Sequence, residues 1–266
     1  MRTGLLIAAS FAAMLGASPS RAVEVVPDLP LPLPPAPPRV ASGPDYDKCL
    51  GMLTTDAVAA ARFAQAWEAT GGGDGAAHCL ALSRLAQGEA IEAAEQLQRL
   101  AGVTNASGAA RAALYAQATQ AWLLAGDPLR AYGSATLALV LVPDDVDLLV
   151  DRSVASATGG EYFSAIDDLN RAIDLAPSRA DALVFRAAAW RLVDRLELAE
   201  DDIARAVALD PDNPEALLER GIIRQRRGDA DGARDDWMRL LSLDPDSPTA
   251  DYARQNLALQ EASPAR

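Results

Sequence analysis

Pro143, Pro177, Pro211 and Pro245 stand 34 residues apart. A recurrence of that length restricts a chain to a row of like modules, each covering the apolar side of the next, because equivalent segments do not converge on one centre. Residues at fixed distances before each proline recur with it. Twelve before stand Ala131, Ala165, Ala199 and Ala233, and twenty-four before stand Thr119, Ser153, Ala187 and Gly221, all small. Two before stand Leu141, Leu175, Leu209 and Leu243, while Gly126, Gly160 and Gly228 fall seventeen before. Two helices per module account for the set: small residues where the helices cross closely, glycine at the turn between them, and proline closing the second. The composition agrees, with 50% hydrophobic but only 5% aromatic residues, and alanine and leucine filling the long segments.

This pattern resembles the tetratricopeptide repeat family, which has a small residue in the first helix, alanine and a large apolar residue in the second, and proline at the end. Leu169, Ile203 and Trp237 occupy the large position, and Trp122 and Trp190 the aromatic position of the first helix. Four residues depart from the pattern: Ala135 at the large position, Ser156 and Arg224 at the aromatic one, and Asp194 where glycine is usual. The resemblance implies an all-α fold, a right-handed superhelical solenoid of antiparallel helix pairs. It covers a degenerate repeat at 74–108 and repeats at 112–145, 146–179, 180–213 and 214–247. Residues 45–73 read as an N-terminal helical hairpin that caps the array, and 248–266 as a closing helix and tail. Residues 102–108 read as an inserted loop.

The beginning of the chain reads as an address. Arg2, an apolar run from Leu5 to Ala17 and the small residues Ser20 and Ala22 form a signal peptide over 1–22, with cleavage after Ala22. The run is shorter than the roughly 20 apolar residues that span a bilayer. Retention as an anchor is the alternative. Within 23–44, prolines at 27, 30, 32, 34, 35, 37, 38 and 44 make an extended spacer. Cys49 and Cys79 are the two cysteines. In an exported chain they either close a disulfide or fill neighbouring helices as thiols.

A formal charge of -13 disfavours nucleic acid and anionic lipid as partners, since the long-range field repels both. Arg152, Arg186 and Arg220 lie 25 before their prolines, and Asp168, Asp202 and Asp236 lie 9 before; the first module lacks both, having Ala118 and Ser134. Their joint absence points to structural ion pairs, within a module or between neighbours. The family resemblance also implies a concave groove lined by first helices, with Val150, Val154, Val184, Arg191, Leu218, Ile222 and Gln225 as protein-binding candidates. The same residues serve equally well as packing between helices. His78 is the only histidine and adjoins Cys79, and neighbouring helical residues do not face each other, so a nucleophilic dyad is not supported. The sequence supplies no cofactor motif, no metal-ligand cluster and no catalytic set.

The expected protein is therefore a periplasmic or secreted scaffold that holds a protein or peptide, as an envelope assembly factor or holdase. A carboxylate-based envelope hydrolase and a self-associating solenoid are the rival readings. The helical register is testable at one of the small crossings. Ala199→Leu overpacks it and is expected to lower the unfolding free energy by about 1 to 3 kcal/mol; a denaturant midpoint unchanged from wild type would displace the register.

Overall fold

The computed structural model describes residues 39–262. The signal-peptide reading of 1–22, the prolines from Pro27 to Pro38 and residues 263–266 lie outside the described residues. Among the described residues the regular structure is helical, without a strand. The described residues form two compact units, one ending at Gly159 and the other beginning at Gly160.

The first unit contains α1 (Pro44–Leu53), α2 (Ala57–Ala69), α3 (Gly73–Ala86), α4 (Ala90–Val103), α5 (Gly108–Leu124), α6 (Pro128–Leu141) and α7 (Val146–Thr158). The second contains α8 (Tyr162–Leu175), α9 (Ala180–Leu192), α10 (Leu196–Leu209), α11 (Pro214–Arg227), α12 (Ala230–Leu243) and α13 (Pro248–Ala262). Within each unit every helix packs on its successor. First helices of adjoining repeats also touch, α5 on α7 in one unit and α9 on α11 in the other. This neighbour-to-neighbour packing is the all-α repeat architecture that the 34-residue period implies.

Local chemistry sets the helix boundaries. Asp56, Ser107, Asp127, Asp145, Asn213 and Asp229 each accept a hydrogen bond from a first-turn backbone N–H, satisfying a donor that the helix leaves open. Pro44, Pro128 and Pro214 sit where a missing N–H costs nothing. The second helices α6, α8, α10 and α12 all stop at leucine, two residues short of the periodic proline. Turns inside the repeats need a left-handed residue, with φ of 74° at Gly126, 84° at Gly160 and 88° at Gly228. Asp194 takes the same conformation at φ 59°, and aspartate is one of the few residues with a side chain that tolerates it. Between α4 and α5 the connection is only 104–107, shorter than the 102–108 loop read from the sequence. The Ser107 hydroxyl accepts from Ala110 N–H to start α5 early, and the Thr104 hydroxyl donates to Asp74 Oδ2 at 2.5 Å.

Packing follows the small residues. Ala131, Ala165, Ala199 and Ala233 are all fully buried. In the last repeat Gly221 lies against Trp237, and a Cβ at 221 would run into the indole ring, whose Nε1 donates to the Leu218 carbonyl at 3.3 Å. Trp237 also centres an apolar cluster with Leu217, Leu218, Ile222 and Leu240.

At the other end, the ten-residue helix α1 buries only Tyr46 and Cys49, which share a face at i, i+3. A helix so short is marginal by itself, and α3 holds it at both points. Cys49 is disulfide-bonded to Cys79 across a separation of 30 residues. Closing that loop stabilises the fold by about 3 to 4 kcal/mol in the chain-entropy model. Beside it, the Tyr46 hydroxyl donates to His78 Nδ1 at 2.6 Å, and His78 Nε2–H donates to Gln117 Oε1 on α5 at 2.7 Å. Burial pushes the Tyr46 phenol up, so it keeps its proton and acts as donor. Burial likewise pulls His78 below the ordinary 6.5 and keeps the imidazole neutral, although the hydrogen bond to Gln117 acts in the opposite direction.

The depressed His78 gives the fold a pH dependence of defined sign. Above 6.5 neither the folded nor the unfolded ring carries the extra proton; between 6.5 and the lower folded value only the unfolded chain binds it. Stability is therefore full above pH 6.5 and falls as pH drops through that window. Denaturant unfolding at neutral and mildly acidic pH is expected to show this loss, with His78→Gln flattening the slope; a wild-type slope that survives the substitution would assign the effect to other groups.

Candidate functional site

In the second unit the recurring arginines bind the aspartates of their own repeats. In the third repeat Arg186 Nε and Nη2 donate to the two oxygens of Asp202, both at 2.7 Å, and Nη1 donates to Asn170 Oδ1 at 2.8 Å. In the fourth, Arg220 Nε and Nη2 donate to Asp236 at 2.9 and 2.5 Å. Both pairs join the first helix of a repeat to its second helix, 16 residues away, rather than bridging neighbouring repeats. Asp202 and Asp236 are buried while the arginines keep a partly wet edge, a placement suited to the long arginine stem. Arg152 sets its guanidinium 5.6 Å from the Tyr132 ring centroid, and Asp168 is buried on α8. The first repeat, with Ala118, leaves Ser134 buried with an unpartnered hydroxyl.

The unusual Arg224 has a physical reason. Its Nη1 donates to Asp236 Oδ2 at 2.7 Å and to the Gly232 carbonyl at 3.2 Å, so a second guanidinium reinforces the pair where an aromatic ring usually packs. Ser156, the other departure at that position, is buried with no partner for its hydroxyl.

The groove candidates separate by burial. Val150, Val184, Leu218 and Ile222 are in the core, where packing between helices uses the whole side chain and leaves no surface for a partner. Arg191 is also buried. Its Nε and Nη2 donate to Glu219 at 2.6 and 3.2 Å, with both side chains 2% exposed. Arg191 thus links α9 to α11 instead of facing solvent. Of the seven, Val154 and Gln225 are half-buried, and Gln225 Oε1 accepts from Gln260 of α13 at 3.0 Å.

Val154 belongs to an accessible stripe of the first helices, most of which the groove candidates do not include and which lies beside the buried row. On α5 it comprises Ala113, Gln117, Gln120 and Leu124, and on α9 Asp181, Phe185, Ala188 and Leu192, all at least partly exposed. On α7 Asp147, Val154 and Thr158 continue the same spacing around the buried Asp151. The i, i+4, i+7, i+11 spacing was present in the sequence, but both candidate rows carry apolar residues and only packing distinguishes them. An acid opens the stripe on α7 and α9, Asp147 and Asp181, the latter accepting from Arg179 Nε and Nη2 at 2.8 and 2.9 Å, and Val154, Phe185 and Leu192 lie further along. On α11 the positions after Glu215, Glu219 and Ile222, are buried. Such a face can hold a segment with apolar residues on one side.

Among the described residues, no group of three or more histidine, cysteine, aspartate and glutamate side chains could hold a metal ion. Both nitrogens of His78 are hydrogen-bonded and Cys79 is in the disulfide, so neither is available as base or nucleophile. No helix among the described residues is long and apolar enough to cross a membrane.

No family model and no curated protein matches the chain. Solved structures do. A tetratricopeptide repeat protein of Thermus thermophilus matches with a TM-score of 0.57 at 17% identity, over 70% of this chain and 98% of its own. MamA of Desulfovibrio magneticus RS-1 matches at 0.55 and 20% identity, over 66% of this chain and 97% of its own. The Cut9–Hcn1 hetero-tetramer matches at 0.61 and 16% identity, over 80% of this chain but 42% of the matched chain. At these identities the likeness is one of fold, and the fold is that of tetratricopeptide repeats.

The repeat-internal ion pair lends itself to charge reversal. Arg186→Asp leaves the buried Asp202 beside a second carboxylate and is expected to cost about 3 kcal/mol or more. Adding Asp202→Arg is expected to recover at least half of the loss in a double-mutant cycle; purely additive losses would show that the two side chains are not coupled.

Proposed function

We propose that the chain is a periplasmic or secreted scaffold that holds a segment of another protein along the accessible stripes of its first helices. The observation that carries this reading is the stripe on α7 and α9, one in each unit, where an acid at the first position is followed by partly exposed apolar side chains, Val154 on α7 and Phe185, Ala188 and Leu192 on α9. Repetition at constant spacing suits an extended or helical segment better than a small molecule. The bound segment is apolar along one side, the complement of Val154, Phe185 and Leu192. The shared fold with a chain solved in a hetero-tetramer supports a role in assembly rather than chemistry.

The remaining organisation fits the same picture. Residues 1–22 direct export and are removed near Ala22, 23–44 space the folded part from its N-terminus, and 45–73 cap the array. Residues 74–108 are a degenerate repeat, four repeats run over 112–145, 146–179, 180–213 and 214–247, and 248–266 close the free end. A buried disulfide accords with folding in an oxidising compartment. In that setting the holding activity is that of an envelope assembly factor or holdase.

The test is recovery of partners from an envelope extract by the mature chain and by two surface variants, Val154→Glu and Leu192→Glu. These positions retain exposure, so their change leaves the core intact. Loss of a recovered protein from either variant is the expected outcome. Equal recovery of the same partners by all three would remove the first-helix stripe as the binding face.

A further inference from the structure

We propose that the Cys49–Cys79 disulfide is a redox latch: a dithiol that reduces it frees α1 from α2 and α3 while the repeats stay folded, and bares the apolar face that α1 covers. The link sits where a latch is effective. α1 is the first helix of its unit and packs on α2 and α3. Its departure leaves the packing among the remaining helices intact, and an end element of a linear array opens without the rest.

Little else fixes α1. It spans ten residues, fewer than a helix needs to persist in water, and Gly43 before it has no side chain to accept from the first turn. Its two buried residues lean on one spot of α3: Cys49 is bonded to Cys79, and Tyr46 donates to His78, the residue before. Leu53 adds partial burial, and Lys48 Nζ lies 4.5 Å over the Phe63 ring at the surface. The last helix makes the contrast. α13 runs for fifteen residues, buries Thr249, Ala250, Ala253 and Asn256, and is capped by the Ser247 hydroxyl. Its Gln260 also reaches back to Gln225 and the Ala230 carbonyl. α13 stays in place by packing and hydrogen bonds, whereas the hold on α1 is concentrated in one covalent bond.

What α1 covers is apolar. Around Tyr46 and Cys49 lie Ala60 and Ala64 of α2 and Cys79 and Leu80 of α3, all buried, with Phe63 and Trp67 beside them. The outer side of α1 carries Asp45, Asp47 and Lys48, all exposed. The redox state of one bond thus sets whether this end of the unit is charged or apolar. Both sulfurs are sealed in the closed form, so the reductant acts as α1 frays. A thiolate of the dithiol attacks Cys49 Sγ, the S–S bond breaks, and Cys79 leaves as a thiolate that takes up a proton. The second thiol of the reductant then displaces Cys49, which is protonated in turn. Two electrons and two protons pass to the protein, and the dithiol becomes a cyclic disulfide. None of this involves Val154 or Leu192, so the latch and the first-helix stripe stand or fall separately.

Segment-resolved hydrogen exchange of the full mature chain, with the disulfide closed and in dithiothreitol, tests the latch, while thiol titration reports the state of the bond. Both cysteines are expected to titrate in dithiothreitol under native conditions. The amides of α1 are then expected to exchange roughly tenfold faster or more, while those of α5 and α6 keep their protection. Cys49→Ala with Cys79→Ala is expected to show the fast α1 exchange with and without reductant. A bond that resists reduction in the folded chain, an α1 whose protection is unchanged once the bond is open, or a loss of protection that spreads through α5 and α6 in either form overturns the proposal.

Discussion

Close crossing of the two helices inside each repeat is the constraint on which the rest of the molecule depends. It needs a small residue on the second helix, supplied four times by a fully buried alanine, and a balance of volumes across the contact. Glycine at 221 is matched by tryptophan at 237, alanine at 187 by isoleucine at 203, and threonine at 119 by alanine at 135. As one side grows the other shrinks, and in the last repeat the match is a direct contact, Gly221 against the Trp237 ring. The close crossing lets Arg186 and Arg220 reach the aspartates of their partner helices, and within each unit first helices of adjoining repeats lie side by side.

The two units reach stability by different means. Around α1 and α3 a covalent link and a tyrosine–histidine–glutamine chain of hydrogen bonds hold a helix too short to persist alone. Between the third and fourth repeats ion pairs add to the apolar packing: Arg226 Nη2 donates to Asp194 Oδ1 at 3.0 Å, and Arg227 meets Glu197 at 2.8 Å and Glu200 at 3.4 Å. Most of these outer pairs are exposed and individually worth little, up to about 1 kcal/mol each. The buried Arg191–Glu219 pair beneath them is of another kind, since desolvation has already been incurred and geometry decides the balance.

The repeat and its helical class were legible in the sequence because period and small-residue spacing are properties of position, which a one-dimensional string preserves. The aspartate at 194 was visible as a departure from glycine, and its left-handed backbone is the physical reason it is tolerated there. The proposed binding face was harder to read. Leu218 and Ile222 look like a groove lining when only helical phase is considered, yet packing against α12 and α13 absorbs them. Arg191 reads as a groove residue by the same phase, because its partner, Glu219, lies 28 residues away in the next repeat and at no recurring offset. Contacts made once leave no periodic trace, and those are the contacts that sequence analysis did not find.

That solitary buried pair also ends the interchangeability of the modules. At the place of Glu219 the other repeats have Gln117, Asp151 and Phe185, and at the place of Arg191 they have Leu123, Ala157 and Gln225. A copy of the third repeat spliced in place of the fourth would set phenylalanine against a guanidinium sealed from water, an uncompensated charge costing several kcal/mol. The array has the outward regularity of a chain of identical links, but this junction works as a lock with its own key, and it fixes the order in which the last links are strung.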